Sequence, residues 1–182
     1  MVSARIVIVS GPPGAGKSTI ARRLAEGSAA SGAVHLHTDD FYAYIRKGYI
    51  EPWRTQAQAQ NITIMNALAR AAATYAQGGY EVVADGIVGP WFFDPWLSAA
   101  AEHGLDLRYV LLMPDEAVAV ARGVARSGPN AMTDAAVIRT MWGHFRAYAP
   151  PAEHVVDTSD QTAEETLSAV SAGLDTGRFV LR

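Results

Sequence analysis

The sequence predicts an α/β fold: a parallel sheet of five strands with helices on both of its faces. Two observations carry that expectation. Short β-rich runs alternate with longer helical patterns along the whole chain, and the connections between successive runs are long enough for crossovers. A third bounds it. With 182 residues, 49% hydrophobic and 18% charged, the chain fits one compact domain over residues 1–182 and not a disordered or fibrous one.

The elements follow in order. Residues 5–10 read as a first strand, because Ile6, Val7, Ile8 and Val9 form the unbroken apolar run of a strand buried on both faces. Residues 17–27 read as a helix with Ile20, Leu24 and Ala25 on one stripe. Residues 33–38 give a weaker second strand, since His35 and His37 alternate with Val34 and Leu36. A long alanine-rich helix is expected over 56–77, stopped by Gly78 and Gly79. Third, fourth and fifth strands are expected over 80–84, 107–113 and 154–157. Helical spacing covers 93–103, 115–126, 133–148 and 163–173, with Asp115 and Thr133 as N-caps. The loop 127–132, rich in Gly, Pro and Asn, lies between two strong helices and is a candidate lid, taken with its flanks as about 122–133. Residues 178–182 suit a small edge strand or a frayed tail.

Composition narrows the function. The formal net charge is -3 and there is no basic block, so no long nucleic acid is expected as a partner. Without cysteine, disulfides and thiolate metal sites are impossible. The run Ile6–Val9 is too short for a signal-peptide core or a membrane span, which makes a cytoplasmic location the default and no membrane partner expected. Only Lys17 and Lys47 of the fifteen basic residues are lysines. A chain that avoids lysine so strongly makes Lys17 stand out.

Lys17 belongs to the segment Gly11, Pro12, Pro13, Gly14, Ala15, Gly16, Lys17, Ser18, Thr19, a full match to G-x-x-x-x-G-K-[ST]. It follows a predicted strand and opens a predicted helix, the setting the motif requires. Glycines let the backbone curl so that successive N–H groups point at phosphate oxygens, and the positive end of the next helix adds to that field. Lys17 is expected on the β and γ phosphates, and Ser18 on magnesium. The cofactor expectation from the loop is therefore a nucleoside triphosphate with Mg2+.

Ligands of open parallel sheets sit beyond the carboxyl ends of the strands. Asp39 and Asp40 follow the second strand there, and Asp85 follows the third. Each alone could be a turn or helix cap. Beside a phosphate loop, Asp85 in Val-Val-Ala-Asp-Gly resembles a magnesium-holding carboxylate, and Asp39 is the better candidate base for an acceptor hydroxyl, with Asp40 as the alternative. Spacing of two puts His35, His37 and Asp39 on one strand face, which permits a metal trio but better suits histidines satisfied within the strand. Arg122 and Arg126, four apart ahead of the loop 127–132, share a helix face and are candidates to close over the triphosphate.

Taken together, these residues resemble the P-loop small-molecule kinases, the group of chloramphenicol phosphotransferase, gluconate kinase, uridine kinase and the zeta toxins. The resemblance rests on the phosphate loop, Thr38-Asp39-Asp40-Phe41-Tyr42, Ala84-Asp85-Gly86, the Arg122 and Arg126 helix, and Val156-Asp157-Thr158-Ser159. It implies a three-layer P-loop NTPase fold with strand order 2-3-1-4-5, and Asp39 as acceptor base. It also implies a loop after Thr158 and Ser159 near the adenine, which makes ATP the expected phosphoryl donor. Phe41, Tyr42, Tyr49, Trp53, Trp91, Phe92 and Trp96 fall where the acceptor pocket would be, although any one of them could be core. No signature specifies the acceptor, which leaves a small-molecule substrate (metabolite, nucleoside or antibiotic) as the expectation. The alternative is an ATP-binding sensor or ATPase module without an acceptor. A polynucleotide 5′-hydroxyl kinase is disfavoured by the acidic balance, and a switch GTPase by the absence of a guanine-reading Asn-Lys-x-Asp.

Overall fold

Hydrophobic periodicity, strand by strand, sorts the molecule into layers. In the computed structural model, which describes residues 5–127, 131–148 and 151–182, β1 (Arg5–Ser10) sends Ile6 and Ile8 to one side of the sheet and Val7 and Val9 to the other. All four are buried. Only a strand with helices on both faces can use such a run.

The first layer holds α1 (Lys17–Glu26) and α7 (Ala163–Asp175), whose Ile20, Ala21, Val170 and Leu174 meet Val7, Val9, Val83, Val110 and Leu112. The opposite layer holds α3 (Gln58–Gln77) and α4 (Phe93–His103), packed on Ile6, Ile8, Val82, Ala84, Leu107, Tyr109 and Leu111. Between them run β2 (Ala33–His37), β3 (Glu81–Gly86), β4 (Asp106–Leu112) and β5 (Val155–Val156). The sheet is parallel in the order β2-β3-β1-β4-β5, as the kinase resemblance implied. Chain order reverses at β1, so the phosphate loop leaves the strand from which neighbours depart in both directions, the place where such sheets bind ligands.

Several boundaries differ from the sequence reading, each for a local reason. The second strand stops at His37, and Thr38–Ala43 turns into a six-residue helix, α2. Asp39 and Asp40 therefore occupy a first helical turn and not a loop. The Thr38 hydroxyl pins that turn by donating to the Asp85 carbonyl at 2.6 Å. The third strand continues through Asp85, which pairs in register with Val9 on one side and His37 on the other. α5 (Glu116–Val124) is shorter than expected, and Arg126 lies in the turn that closes it. α6 (Ala135–Tyr148) is capped by Asp134, whose carboxylate accepts from the N–H groups of Ala136 and Val137, so Thr133 is not the cap.

The chain's last residues are neither frayed nor free. β5 covers only Leu111 and Leu112, and the rest of the β4 edge is taken by an antiparallel bridge between Arg108 and Val180. Tyr109 donates to the Phe179 carbonyl and Leu181 to the Leu107 carbonyl, both at 2.9 Å. Phe179 is fully buried.

Candidate phosphate and cation site

The phosphate loop is shaped by two backbones it nearly touches. Gly11 has φ +147°, and a Cβ there would lie 2.2 Å from the Leu112 carbonyl oxygen. Gly14 has φ +83°, and its Cβ would lie 2.2 Å from the Ala119 carbonyl oxygen. Only glycine fits either place. The loop is thus wedged between the end of β4 and the middle of α5. Pro12, Pro13 and Ala15 are buried within it, whereas Gly16 and Thr19 face outward.

Lys17 bends back along this loop and donates to the Pro12 carbonyl at 2.9 Å. Burial lowers its pKa to about 8, against the pull of the Asp85 and Asp39 carboxylates and with help from the Arg126 charge. A desolvated ammonium resting on one carbonyl has strong reason to exchange it for phosphate oxygens.

Beside the lysine, Ser18 donates to Asp85 Oδ2 at 2.6 Å. Asp85 is completely buried. Its other oxygen, Oδ1, is 2.6 Å from His35 Nε2 and 3.0 Å from His37 Nδ1. Burial works against the Asp85 charge, but the two histidines and Ser18 outweigh it and hold the carboxyl well below the usual range. His37 also reaches Asp39, with Nε2 3.4 Å from Oδ2. The Asp39 contact first, and the Asp85 hydrogen bond second, push the His37 pKa up to about 10. Asp39 is lowered in turn, chiefly by His37, while its side chain stays 65% exposed at the rim.

Among the described residues no group of three or more His, Asp or Glu side chains could hold a metal ion, so His35, His37 and Asp39 do not form a metal trio. The histidines are spent on Asp85. Magnesium is different: it takes one or two protein oxygens and fills its shell with water and substrate phosphates. A half-buried Ser18 hydroxyl bonded to an ionised Asp85 is a pair of hard oxygen donors at the mouth of the phosphate loop, and it fits that ion.

The arginines divide. Arg122 donates to the carbonyls of Thr158 at 3.0 Å and Ser159 at 3.2 Å, tying α5 to the segment that follows β5. Arg126 instead acts on Lys17 through its charge. Of the lid expected over about 122–133, residues 128–130 lie outside the described residues. Of the seven aromatics, Trp96, Phe92 and Tyr42 belong to the core, and Tyr42 donates to Asn61 Oδ1 at 3.0 Å. Tyr49 and Trp53 are about half exposed. Between α1 and the edge strand β2 opens a cleft of about 350 Å³, lined by Ser18, Thr19, Arg22, His35, His37 and Asp40.

Sequence reasoning brought Lys17, Ser18, Asp85 and Asp39 to one place, and the structure joins all four. It missed that both histidines serve Asp85. The signal was present in their spacing of two, but it becomes meaningful only once β2 is known to lie beside β3.

A family model described as an AAA domain matches residues 6–151, from the start of β1 to beyond α6. The chain belongs to the AAA domain family. No curated protein matches this AAA domain chain. Solved structures do. A sugar kinase from Janibacter sp. is similar over 94% of each chain at 18% identity, with a TM-score of 0.67. The tunicamycin resistance protein of Deinococcus radiodurans is similar over 93% of this chain and 95% of its own, at 16% identity and a TM-score of 0.66. The APS kinase of Mycobacterium tuberculosis, in complex with AMPPNP and APS, is similar over 95% and 98% at 18% identity, also with a TM-score of 0.66. At such identities the likeness is one of fold: this AAA domain has the architecture of P-loop kinases.

Proposed function

We propose that the chain is an ATP- and magnesium-dependent phosphotransferase that acts on a hydroxyl of a small molecule, whether metabolite, nucleoside or antibiotic. One observation carries the reading: two carboxylates of opposite character act on the charge of Lys17. Asp85 is buried and bound to a loop hydroxyl, while Asp39 is exposed at the rim. A nucleotide sensor needs the first alone. Transfer to an alcohol needs both, one beside the cation and one to take the acceptor's proton.

In this reading the N–H groups of the loop and Lys17 hold the β and γ phosphates, and the site's positive charge offsets what builds on them during transfer. Ser18, with Asp85 beside it, would hold a magnesium ion, which would supply further charge neutralisation. Asp39 accepts the acceptor's hydroxyl proton as the new O–P bond forms and the bond from the γ phosphorus to the bridging oxygen breaks, releasing ADP. Arg126, whose charge acts on Lys17, would add to the positive field around the phosphates. Arg122, by gripping the Thr158 and Ser159 carbonyls, shapes the segment expected beside the adenine. The half-exposed Tyr49 and Trp53 follow Asp39 closely in the chain and offer an aromatic wall for the acceptor.

The test is an acceptor screen that follows ADP release, run on the parent, Lys17→Ala and Asp39→Asn. Lys17→Ala is expected to lose productive ATP binding. Asp39→Asn should keep ATP binding and lose about 10²- to 10⁴-fold in transfer, the range of a general base. Full turnover by Asp39→Asn on a true acceptor would remove the proposed base and favour the sensor or ATPase alternative.

A further inference from the structure

The geometry points to His35 and His37 as positioning residues for the divalent cation: they hold Asp85 by one oxygen so that the other is presented to Ser18 at the phosphate loop. This rests on the nucleotide–magnesium reading of the site.

On the edge strand β2, Val34 and Leu36 pack against the α3 and α4 layer, and the alternate residues His35 and His37 face the α1 side. There they border the cleft beside Ser18, with side chains 23% and 31% exposed. Nothing in core packing calls for two imidazoles at a half-open edge. Asp85 does call for them. Its carboxylate is fully buried, and Ser18 satisfies only Oδ2. The imidazoles of His35 and His37 take Oδ1 from two directions. With donors on both oxygens the carboxylate cannot turn about its last bond without leaving one of them unpaired. Oδ2 therefore stays on Ser18, and the pair of oxygens that suits magnesium is held before the ion arrives. Outer partners that orient a cation's ligands typically govern its affinity about 10- to 100-fold.

The two histidines use different ring nitrogens, which supplies the control. His35 engages through Nε2 and His37 through Nδ1. A glutamine amide nitrogen reaches about as far as Nε2, and an asparagine amide nitrogen about as far as Nδ1. The pair His35→Gln with His37→Asn therefore keeps both donors in place. The exchanged pair, His35→Asn with His37→Gln, carries the same amides at the wrong reach.

ATP affinity is measured by calorimetry near neutral pH, with Mg2+ and with EDTA, on the parent, the double alanine variant and both amide pairs. Thermal unfolding is recorded for each. The quantity of interest is the gain in affinity that Mg2+ confers. Expected is a gain smaller by about 10- to 100-fold in the double alanine variant, with the EDTA affinity unchanged. The matched amide pair should recover the gain and the exchanged pair should not. An undiminished gain in the double alanine variant overturns the inference, as do equal losses with Mg2+ and EDTA, or amide pairs that behave alike. A parent without any Mg2+ gain sinks the phosphotransferase reading and this inference together. A parent with the gain, beside variants that match it, sinks the inference alone.

Discussion

With a pKa near 8, Lys17 is partly neutral in slightly alkaline buffer. A bound triphosphate favours its charged form, so ATP binding should draw a proton onto it. Calorimetry near pH 8 in buffers of different ionisation enthalpy should therefore give different apparent binding enthalpies. Near pH 6.5, where Lys17 is already protonated, the difference should shrink. His37 gives the opposite kind of dependence, on the stability of the free protein. Its folded pKa, about 10, lies above the unfolded value of 6.5. The stability it contributes is fully present below about pH 6.5 and is lost as pH rises towards 10. Urea unfolding of the parent and of His37→Gln should differ most near pH 6 and converge in alkali. Of these residues, Lys17, Ser18, Asp85 and Asp39 could be read in the sequence, because a phosphate loop has a fixed spacing and strand ends are marked by hydrophobic runs. The bonds from His35 and His37 to Asp85 could not. They cross between strands almost fifty residues apart in the chain, and strand adjacency is not written in either segment.

Among the elements, α5 and the phosphate loop behave as one piece. The close approach of Gly14 to the Ala119 carbonyl joins them, and Arg122 fastens the helix to the Thr158 and Ser159 carbonyls. Gly14→Ala should cost about 1–3 kcal/mol from the left-handed backbone alone, with the clash added, and should weaken ATP binding. Its measure is the urea midpoint together with the ATP dissociation constant. Arg122→Ala should leave the fold intact, since the guanidinium lies near the surface, but loosen the segment after β5 and raise KM for ATP more than it lowers kcat. Long elements were legible because many periods repeat in them: residues 93–103 have the same bounds in the sequence reading and in α4. Short ones were not. Six residues of α2 contain too little periodicity to be seen against the end of β2, and the cap of α6 depends on whether Thr133 or Asp134 reaches the free N–H groups, a choice settled by geometry.

For the molecule as a whole, the C-terminal segment closes the sheet edge that the two residues of β5 leave open. Phe179 is its anchor, fully buried against the α1 and α7 layer and close to Gly173. Phe179→Ala should cost about 3–5 kcal/mol and lower the melting temperature by on the order of 10 °C, read by thermal unfolding. The same variant should leave Mg2+ and ATP binding intact at low temperature, because the tail bonds to the Arg108 end of β4 and the loop leaves from the other end of the sheet. The strand order has a consequence for synthesis. β1 is made before the other four strands of this sheet, yet its partners are Val82 to Gly86 on one side and Asp106 to Leu111 on the other. While a ribosome adds the intervening residues, Ile6–Val9 must wait as a bare, uncharged, β-prone ribbon, the kind of segment that nascent-chain chaperones shield and that aggregates when they are saturated.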